Sequence, residues 1–336
     1  MTAEYREGKS GLSSNGQTTD IDKSNGRWGS INGIFRKAIL VATNNRLVSS
    51  GVKRFGMRLG AGNFVAGENL DECIETLKRL TDRGFHSNTT LLGEHVADQQ
   101  MASDVATEYI RILDRIHAER CRTNVALKLT HLGLDLSEEI AYRNIERIAT
   151  HAETLGNFIR IDMEESDRVD PTIRIFKRLR AEGLENVGTV FQSYLYRTDL
   201  DIENLLEIKP NLRVVKGAYL EPESVAYPDK ADVDRKMVEQ IETLLQNDCY
   251  VGIATHDDRI IDYFKAYTER HGIGRDKFEF QMLYGIRTQY QQDLLDEGYK
   301  VRIATPFGPE WYPYLMRRLA ERPANLLFLA KNVVRR

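Results

Sequence analysis

Two adjacent arginines near the C-terminus, Arg317 and Arg318, have residue types and spacing that suit ligand binding. They lie in EWYPYLMRRLAERPAN, a segment with a helical pattern. Adjacent residues point about 100° apart around a helix, so the two side chains cannot share one solvated stripe. Two guanidinium groups at a pocket rim suit a carboxylate, and Glu321 could hold Arg318 from one turn away. On spacing alone, an ordinary pair of surface charges on an amphipathic helix is an equally good interpretation.

Polar residues also occur where short β-rich runs end. They are Glu94, Lys128, Thr130, Asp162, Glu164, Gln192, Arg213, Lys216, Thr255, His256, Asp257, Gln281, Tyr284 and Arg302. Lys128 is flanked by strand hydrophobes in VALKLT, and a buried lysine must find an anionic partner or lose its charge. Each residue alone is as consistent with an internal ion pair as with a ligand contact. Several cations at one end of a barrel together predict an anionic ligand.

His256, in the run IATHD, is a candidate general base, but a structural histidine bonded to backbone is the simpler interpretation. The seven histidines show no HxxxH or HxH spacing near carboxylates, and the three cysteines form no CxxC pair. Such spacings are the usual signatures of zinc sites. We therefore expect no metal centre.

The elements that must position these residues alternate regularly from about residue 84 onward. Eight β-rich runs, separated by longer amphipathic segments, cover residues 86–93, 124–133, 158–166, 187–195, 212–220, 250–257, 278–285 and 299–308. Such alternation predicts a parallel α/β sheet covered by helices, and eight units close most simply into a (β/α)₈ barrel of the TIM type. The alternative is an open doubly wound sheet, which predicts a GxGxxG turn that is absent after the first run.

The chain divides into three parts before function is considered. Residues 1–27 are polar and rich in Gly, Ser, Asn and Thr, which predicts a disordered tail, either native or added to the natural protein. Residues 28–83 are expected to form an N-terminal helical extension, and residues 84–336 the barrel. Within the extension, residues 28–58 carry six basic and no acidic side chains. We expect this segment to pack on the barrel; docking on an anionic membrane surface is the alternative.

Composition argues against two classes of partner or location. Lys and Arg number 47 against 50 Asp and Glu, a net charge of −3 that gives no electrostatic reason to expect nucleic acid. The longest apolar runs are strand-sized, so no membrane-spanning helix is predicted. The first residues lack the layout of a signal peptide, so we expect a cytoplasmic protein whose membrane contact, if any, is peripheral.

Six stretches occur in a fixed order along the chain: RIDMEES, FQSYLYRT, RVVKGAY, IATHDD, FQMLYGIR and WYPYLMRRLAERPAN. In that order they closely resemble the proline dehydrogenase family, over roughly residues 57–330. Several long motifs together are far more specific than any single pattern. The resemblance implies an FAD enzyme with a (β/α)₈ barrel. Some bacterial members are fused to an aldehyde dehydrogenase, and we expect this one to be monofunctional because little sequence follows the arginine helix.

The resemblance also implies roles for individual positions. Asp162 and Arg213 would form the catalytic core, with Arg213 near the reactive N5 of FAD. The substrate would contact Lys128, Arg317, Arg318, Tyr314, Leu283 and Ala304, with the three cations on its carboxylate. Glu94 would be a gate that pairs with Arg317. The implied flavin contacts are Met163, Gln192, Arg213, Val215, Lys216, Gly217, Ala218, Thr255, His256, Gln281, Leu283, Arg318 and Glu321.

The implied reaction is hydride transfer from C5 of L-proline to N5 of FAD, giving Δ1-pyrroline-5-carboxylate. Electrons would pass to a membrane quinone, and a separate pyrroline-5-carboxylate dehydrogenase would use the product. Many family members have tyrosine at the position of Ala304, so the resemblance leaves hydroxyproline or another cyclic imino acid open as substrate. Two interpretations from the residues alone also stay open: a Schiff-base lyase or aldolase that uses Lys128, and a non-catalytic barrel that binds an anionic metabolite.

Overall fold

The computed structural model describes residues 61–93 and 96–321, with side chains in the final helix as far as Met316. Several predictions lie outside this range. They are the tail over 1–27, the basic segment 28–58, Glu94, and the side chains of Arg317, Arg318 and Glu321. The structure describes the predicted extension 28–83 only from residue 61 onward.

Eight parallel strands form a closed barrel. In chain order they are β1 His86–Leu91, β2 Thr123–Lys128, β3 Ile159–Asp162, β4 Val187–Gln192, β5 Asn211–Val215, β6 Tyr250–Ala254, β7 Phe278–Leu283 and β8 Val301–Phe307. Each strand pairs with the next, and β1 closes the barrel on β8, with His86 opposite Arg302 and Leu91 opposite Phe307. Each strand overlaps one predicted run, so the (β/α)₈ fold is confirmed.

Helices alternate with the strands. They are α1 Leu70–Asp82, α2 Gln99–Ala118, α3 Glu138–Thr154, α4 Val169–Ala181, α5 Thr198–Glu203, α6 Lys230–Gln246, α7 Asp258–Arg270, α8 Thr288–Asp296 and α9 Trp311–Glu321. The cap of α1 is Asn69, whose side-chain oxygen accepts a hydrogen bond from the backbone N–H of Glu72. Asp98 caps α2 in the same way, and such caps satisfy N–H groups that the first turn leaves without partners. In residues 61–93 and 96–321 no helix is long and apolar enough to cross a membrane.

Alternate residues of each strand face the helices or the barrel interior. In β1 the outward face carries Thr89, whose hydroxyl lies 3.3 Å from Cys73 Sγ of α1. The outward layer is apolar and buried, as Leu127 and Ile161 illustrate. The interior carries many polar side chains instead, unlike the branched apolar layers usual in such barrels. Its inward positions include His86, Asn88, Lys128, Arg160, Asp162, Arg213, Glu279, Gln281 and Arg302.

The segment before α1 fixes the start of α9. Phe64 and Val65 pack with Trp311 and Leu315 in a small apolar cluster apart from the main core. Trp311 Nε1 also donates a hydrogen bond to Glu68 at 2.7 Å. These contacts hold the N-terminal half of the helix that carries the predicted arginine pair beside the barrel.

Candidate active site

The parallel strands end together at one end of the barrel, here called the mouth. Because catalytic residues of such barrels lie at this end, the last residue of each strand is informative. Five strands end on residues predicted for the site: Lys128, Asp162, Gln192, Val215 and Leu283. Others lie in the loops that follow: Met163, Lys216, Gly217, Ala218, Thr255 and His256. The fold therefore brings these predicted residues to one end of the barrel.

An ion pair at the mouth joins β3 to β5 across β4. Arg213 Nη2 donates to Asp162 Oδ1 at 2.7 Å, and the two side chains are 11% and 24% exposed. Lys128 is the register neighbour of Asp162 on β2. Arg213 Nε is buried and has no hydrogen-bond partner among the described residues. A buried donor without a partner is costly, so this N–H is suited to a ligand acceptor.

Lys128 lies beside an aromatic ring and near a buried carboxylate. Its Nζ is 6.0 Å from the centroid of the Tyr219 ring, at the limit for a cation–π contact. Glu164 accepts hydrogen bonds from Thr130 N at 3.1 Å and Thr130 Oγ1 at 2.7 Å. Burial raises the pKa of Glu164 by more than the Thr130 hydrogen bonds and the charge of Lys128 lower it. Tyr219 is absent from the predicted site, although it ends the motif RVVKGAY, because a loop conformation brings it here.

Lys216 lies between two carboxylates. Its Nζ is 2.5 Å from Asp234 Oδ1 on α6 and 3.1 Å from Asp257 Oδ2 after β6. Hydrogen bonding by Arg259 holds the pKa of Asp257 well below its ordinary value, against the effect of burial and with further help from Lys216. The N–H of Asp257 donates to Thr255 Oγ1 at 3.1 Å. Asp234 was not predicted from the sequence because it lies on a helix, away from any strand end.

His256 and Gln192 are oriented by backbone groups. His256 Nε2 accepts a hydrogen bond from the backbone N–H of Leu283 at 3.0 Å. A ring nitrogen that accepts from an amide carries no proton, so this atom cannot donate one. Gln192 Nε2 donates to the backbone oxygen of Glu164 at 2.9 Å. These contacts agree with the interpretation of His256 as a histidine bonded to backbone.

Arg302 lies at the opposite end of the barrel, here called the floor, so its prediction as a mouth residue is wrong. It is the second residue of β8 and pairs with Glu279 of β7, Nε to Oε1 at 2.5 Å, with both side chains almost fully buried. Burial favours the neutral acid, but the charge and hydrogen bonds of Arg302, together with Lys300 and Tyr250, outweigh it and hold the pKa of Glu279 well below its ordinary value. Gln281 donates to the same carboxylate at 2.7 Å, so its amide nitrogen faces the floor.

A small residue borders the interior between β1 and β7. Ala304 is the register partner of Leu283 on one side and of Asn88 on the other. Asn88 is 4% exposed, and its Oδ1 accepts no hydrogen bond from the described residues. Asn88 was not predicted from the sequence, since nothing in HSNTTLLG marks which polar residue faces inward. Tyr314 is half-buried on α9, beside the apolar cluster around Trp311.

A closed (β/α)₈ barrel whose mouth gathers paired charged side chains is typical of barrel enzymes, which bind a small molecule where the strands end. The family model for proline dehydrogenase matches residues 73–331. This chain belongs to the proline dehydrogenase family.

Two relatives agree with that membership, and a solved structure shares the fold. The chain is 41% identical over 303 residues to Proline dehydrogenase 2 of Bacillus subtilis (strain 168). The matched region covers 90% of this chain and 100% of that protein. It is also 41% identical over 309 residues to Proline dehydrogenase of Deinococcus radiodurans. That match covers 91% of this chain and 99% of that protein. The crystal structure of proline utilization A from Bdellovibrio bacteriovorus inactivated by N-propargylglycine shares the fold. It has a TM-score of 0.77 and 24% identity, over 87% of this chain and 36% of that one.

Proposed function

We propose that this chain oxidises L-proline to Δ1-pyrroline-5-carboxylate by hydride transfer to FAD. Family membership supports the proposal, and so does 41% identity across the length of two proline dehydrogenases. The observation that carries it is the group of Lys128, Asp162 and Arg213 at the mouth. Lys128 and Arg213 bring two cations to the end of the barrel where an anionic substrate would bind, and Asp162 holds the Arg213 guanidinium there.

The residues at the mouth fit a flavin. Arg213 presents a buried Nε–H without a protein acceptor among the described residues, and the flavin ring offers oxygen and nitrogen acceptors. Bound FAD supplies the hydride acceptor. We assign its contacts to Met163, Gln192, Arg213, Val215, Lys216, Gly217, Ala218, Thr255, His256, Gln281 and Leu283, with Arg318 and Glu321 on α9.

The chain itself contributes binding and orientation. Lys128 would bind the substrate carboxylate together with Arg317 and Arg318. Asp162 holds the Arg213 guanidinium at the mouth, and Leu283, Tyr314 and Ala304 would border the substrate ring. Glu94 would pair with Arg317 and close the site, which excludes water from the reacting atoms.

The electrons require a second acceptor, which we propose is a membrane quinone, while a separate pyrroline-5-carboxylate dehydrogenase uses the product. Six basic and no acidic residues in 28–58 suit contact with an anionic membrane surface by a cytoplasmic, peripheral protein, which is the alternative to packing of this segment on the barrel. Co-sedimentation with anionic liposomes should be stronger for the full chain than for a version lacking residues 1–56. Equal binding by the two would contradict membrane contact through this segment.

The visible spectrum of the purified protein tests the central proposal. We expect flavin absorption bands that L-proline bleaches without oxygen, and proline-dependent reduction of an artificial electron acceptor. A colourless preparation that cannot be loaded with FAD would contradict it, and so would a flavin that proline does not reduce.

Borohydride trapping with a carbonyl substrate tests the Schiff-base alternative, since an adduct lost in Lys128→Met would favour a lyase or aldolase. A bound anionic metabolite without turnover would favour the non-catalytic barrel.

A further inference from the structure

The loop over residues 216–229, which joins β5 to α6, is here called the strap. Both of its ends are bonded to Tyr194, in the loop after β4. Tyr194 N donates to Lys216 O at 2.9 Å, and Tyr227 N donates to Tyr194 O at 2.7 Å. Gly217 has φ 121°, and a Cβ there would lie 2.3 Å from Cδ1 of the Tyr194 ring. The base of the strap therefore has a fixed geometry.

The tip of the strap is bonded to the loop after β3. The Glu221 carboxylate accepts hydrogen bonds from Ser166 N and Ser166 Oγ, both at 2.7 Å. Each oxygen of this charged carboxylate accepts one hydrogen bond. Such charge-assisted bonds are about twice as strong as neutral ones. This contact, here called the latch, ties the strap to the segment that follows Asp162.

The latch lies next to Tyr219, the strap residue whose ring is 6.0 Å from Lys128 Nζ. Leu220, between Tyr219 and the latch, is 80% exposed, and Pro222 and Glu223 are exposed as well. Apolar burial therefore contributes little to holding this part of the strap. Besides the fixed base, the latch and a 2.9 Å hydrogen bond from Tyr196 Oη to the backbone oxygen of Glu223 hold this part of the strap, and the latch is the contact nearer to Tyr219 in sequence.

We infer that Glu221 is a positioning residue for the substrate pocket. Through its latch on Ser166 it holds Tyr219 beside Lys128 and keeps the strap closed over the carboxylate end of the bound substrate. This inference rests on the proposed function, in which Lys128 binds the proline carboxylate. Glu221 acts through Tyr219, so its loss should weaken substrate binding more than it slows the hydride step.

Steady-state kinetics of the FAD-loaded enzyme test this role. In Glu221→Gln the volume is kept, but the charge and one acceptor oxygen are lost. We expect the KM for proline to rise about tenfold while kcat changes less than twofold. Glu223→Gln is the matched control, because it makes the same change at an exposed position of the same strap. Its KM should equal that of the parent.

Double variants test whether the residues act as one unit. Ser166→Ala keeps the backbone donor, so its KM should rise less than that of Glu221→Gln. The combined Ser166→Ala and Glu221→Gln variant should show less than the sum of the two effects, because both changes break the same contact. In a Tyr219→Leu background, Glu221→Gln should add nothing. Full additivity with Tyr219→Leu would overturn the inference.

Limited chymotrypsin digestion gives a measure independent of activity. We expect faster cleavage after Tyr219 or Leu220 in Glu221→Gln than in the parent or in Glu223→Gln, with unchanged flavin content and Tm. Parental KM and cleavage rate in Glu221→Gln would overturn the inference. Loss of flavin content and Tm with a parallel fall in kcat would also do so, by showing a merely structural role. A parent without proline oxidation would overturn the proposed function, whereas the digestion still tests the latch.

Discussion

Asp162 and Arg213 are joined by a 2.7 Å hydrogen bond although their strands, β3 and β5, are not neighbours in the barrel. The pair crosses the interior in front of β4. Both side chains are mostly buried, so each stabilises a charge that would otherwise be costly to bury. Asp162 engages Arg213 Nη2, whereas the buried Nε has no hydrogen-bond partner among the described residues and can donate to a ligand.

Asp162→Asn should lower the rate of flavin reduction by proline about 100-fold, because the Arg213 guanidinium loses the charge that orients it. Stopped-flow bleaching of the flavin without oxygen measures this rate. Asp71→Asn is the matched control, since Asp71 forms an exposed pair with Arg115 at 2.9 Å on the outer helices. The control should reduce at the parental rate. A change of less than threefold in Asp162→Asn would show that the pair is not needed for the hydride step.

Much of the fold follows from periodicity. Eight runs of β-rich sequence and the helical patterns between them were enough to predict a closed barrel, because parallel strands with helical crossovers have few ways to bury both faces. The position of a residue along its strand, and therefore the end of the barrel at which it lies, was harder to predict. Arg302 was placed at the mouth, yet it is the second residue of β8 and pairs with Glu279 at the floor. Alternation shows which face a side chain occupies, and only the strand boundaries show which end.

The site residues also divide into those that the sequence pattern predicts and those that it does not. Lys128, Asp162 and Gln192 were predictable because each ends a strand, and strand ends converge by geometry. Tyr219 and Glu221 were not predicted, because their positions depend on how a loop without regular structure folds back over the mouth. Contacts between loops are set by a few hydrogen bonds between residues distant in sequence, and no local pattern encodes them.

Gly217→Ala should destabilise the strap by more than the cost of placing an alanine at a positive φ. A left-handed conformation costs an alanine about 1–2 kcal/mol, and Gly183 provides the control for that cost. Gly183 has φ 92° and open space within 4 Å of where a Cβ would lie, whereas at Gly217 the Tyr194 ring would be 2.3 Å away. We expect Gly183→Ala to lower Tm without changing the KM for proline. Gly217→Ala should lower Tm further and raise KM severalfold. Equal behaviour of the two variants would show that Tyr194 yields without moving the strap.

His86 should make stability depend on pH below neutrality. Burial, and then the positive charge of Arg302, lower the pKa of His86 to about 4; Lys300 and Arg122 act in the same direction and Glu279 opposes them. The unfolded chain, with a histidine pKa near 6.5, binds a proton that the folded chain does not. The stabilisation is therefore complete above about pH 6.5 and is lost as the pH falls toward 4.

His86→Asn should reduce the loss of unfolding free energy between pH 7 and pH 5. The reduction should be about 1 kcal/mol, less than the full shift implies because His86 is partly exposed. Urea unfolding of parent and variant at both pH values measures it, and comparing the two removes the contribution of every other titrating group. An identical pH dependence in the two proteins would show that His86 titrates alike in the folded and unfolded chains.

Ala304→Tyr should narrow the substrate range. Ala304 borders the interior beside Leu283 and Asn88, and the buried Asn88 Oδ1 could accept a hydrogen bond from a substrate hydroxyl. A tyrosine ring would fill this space, and excluding or admitting a small group changes kcat/KM by about 10- to 200-fold. We expect the ratio of kcat/KM for hydroxyproline to that for proline to fall at least tenfold, measured with both substrates side by side. Ala304→Leu, which adds volume without a hydroxyl, separates filling from hydrogen bonding. If Ala304→Tyr left the ratio unchanged, the substrate ring would have to lie elsewhere in the mouth.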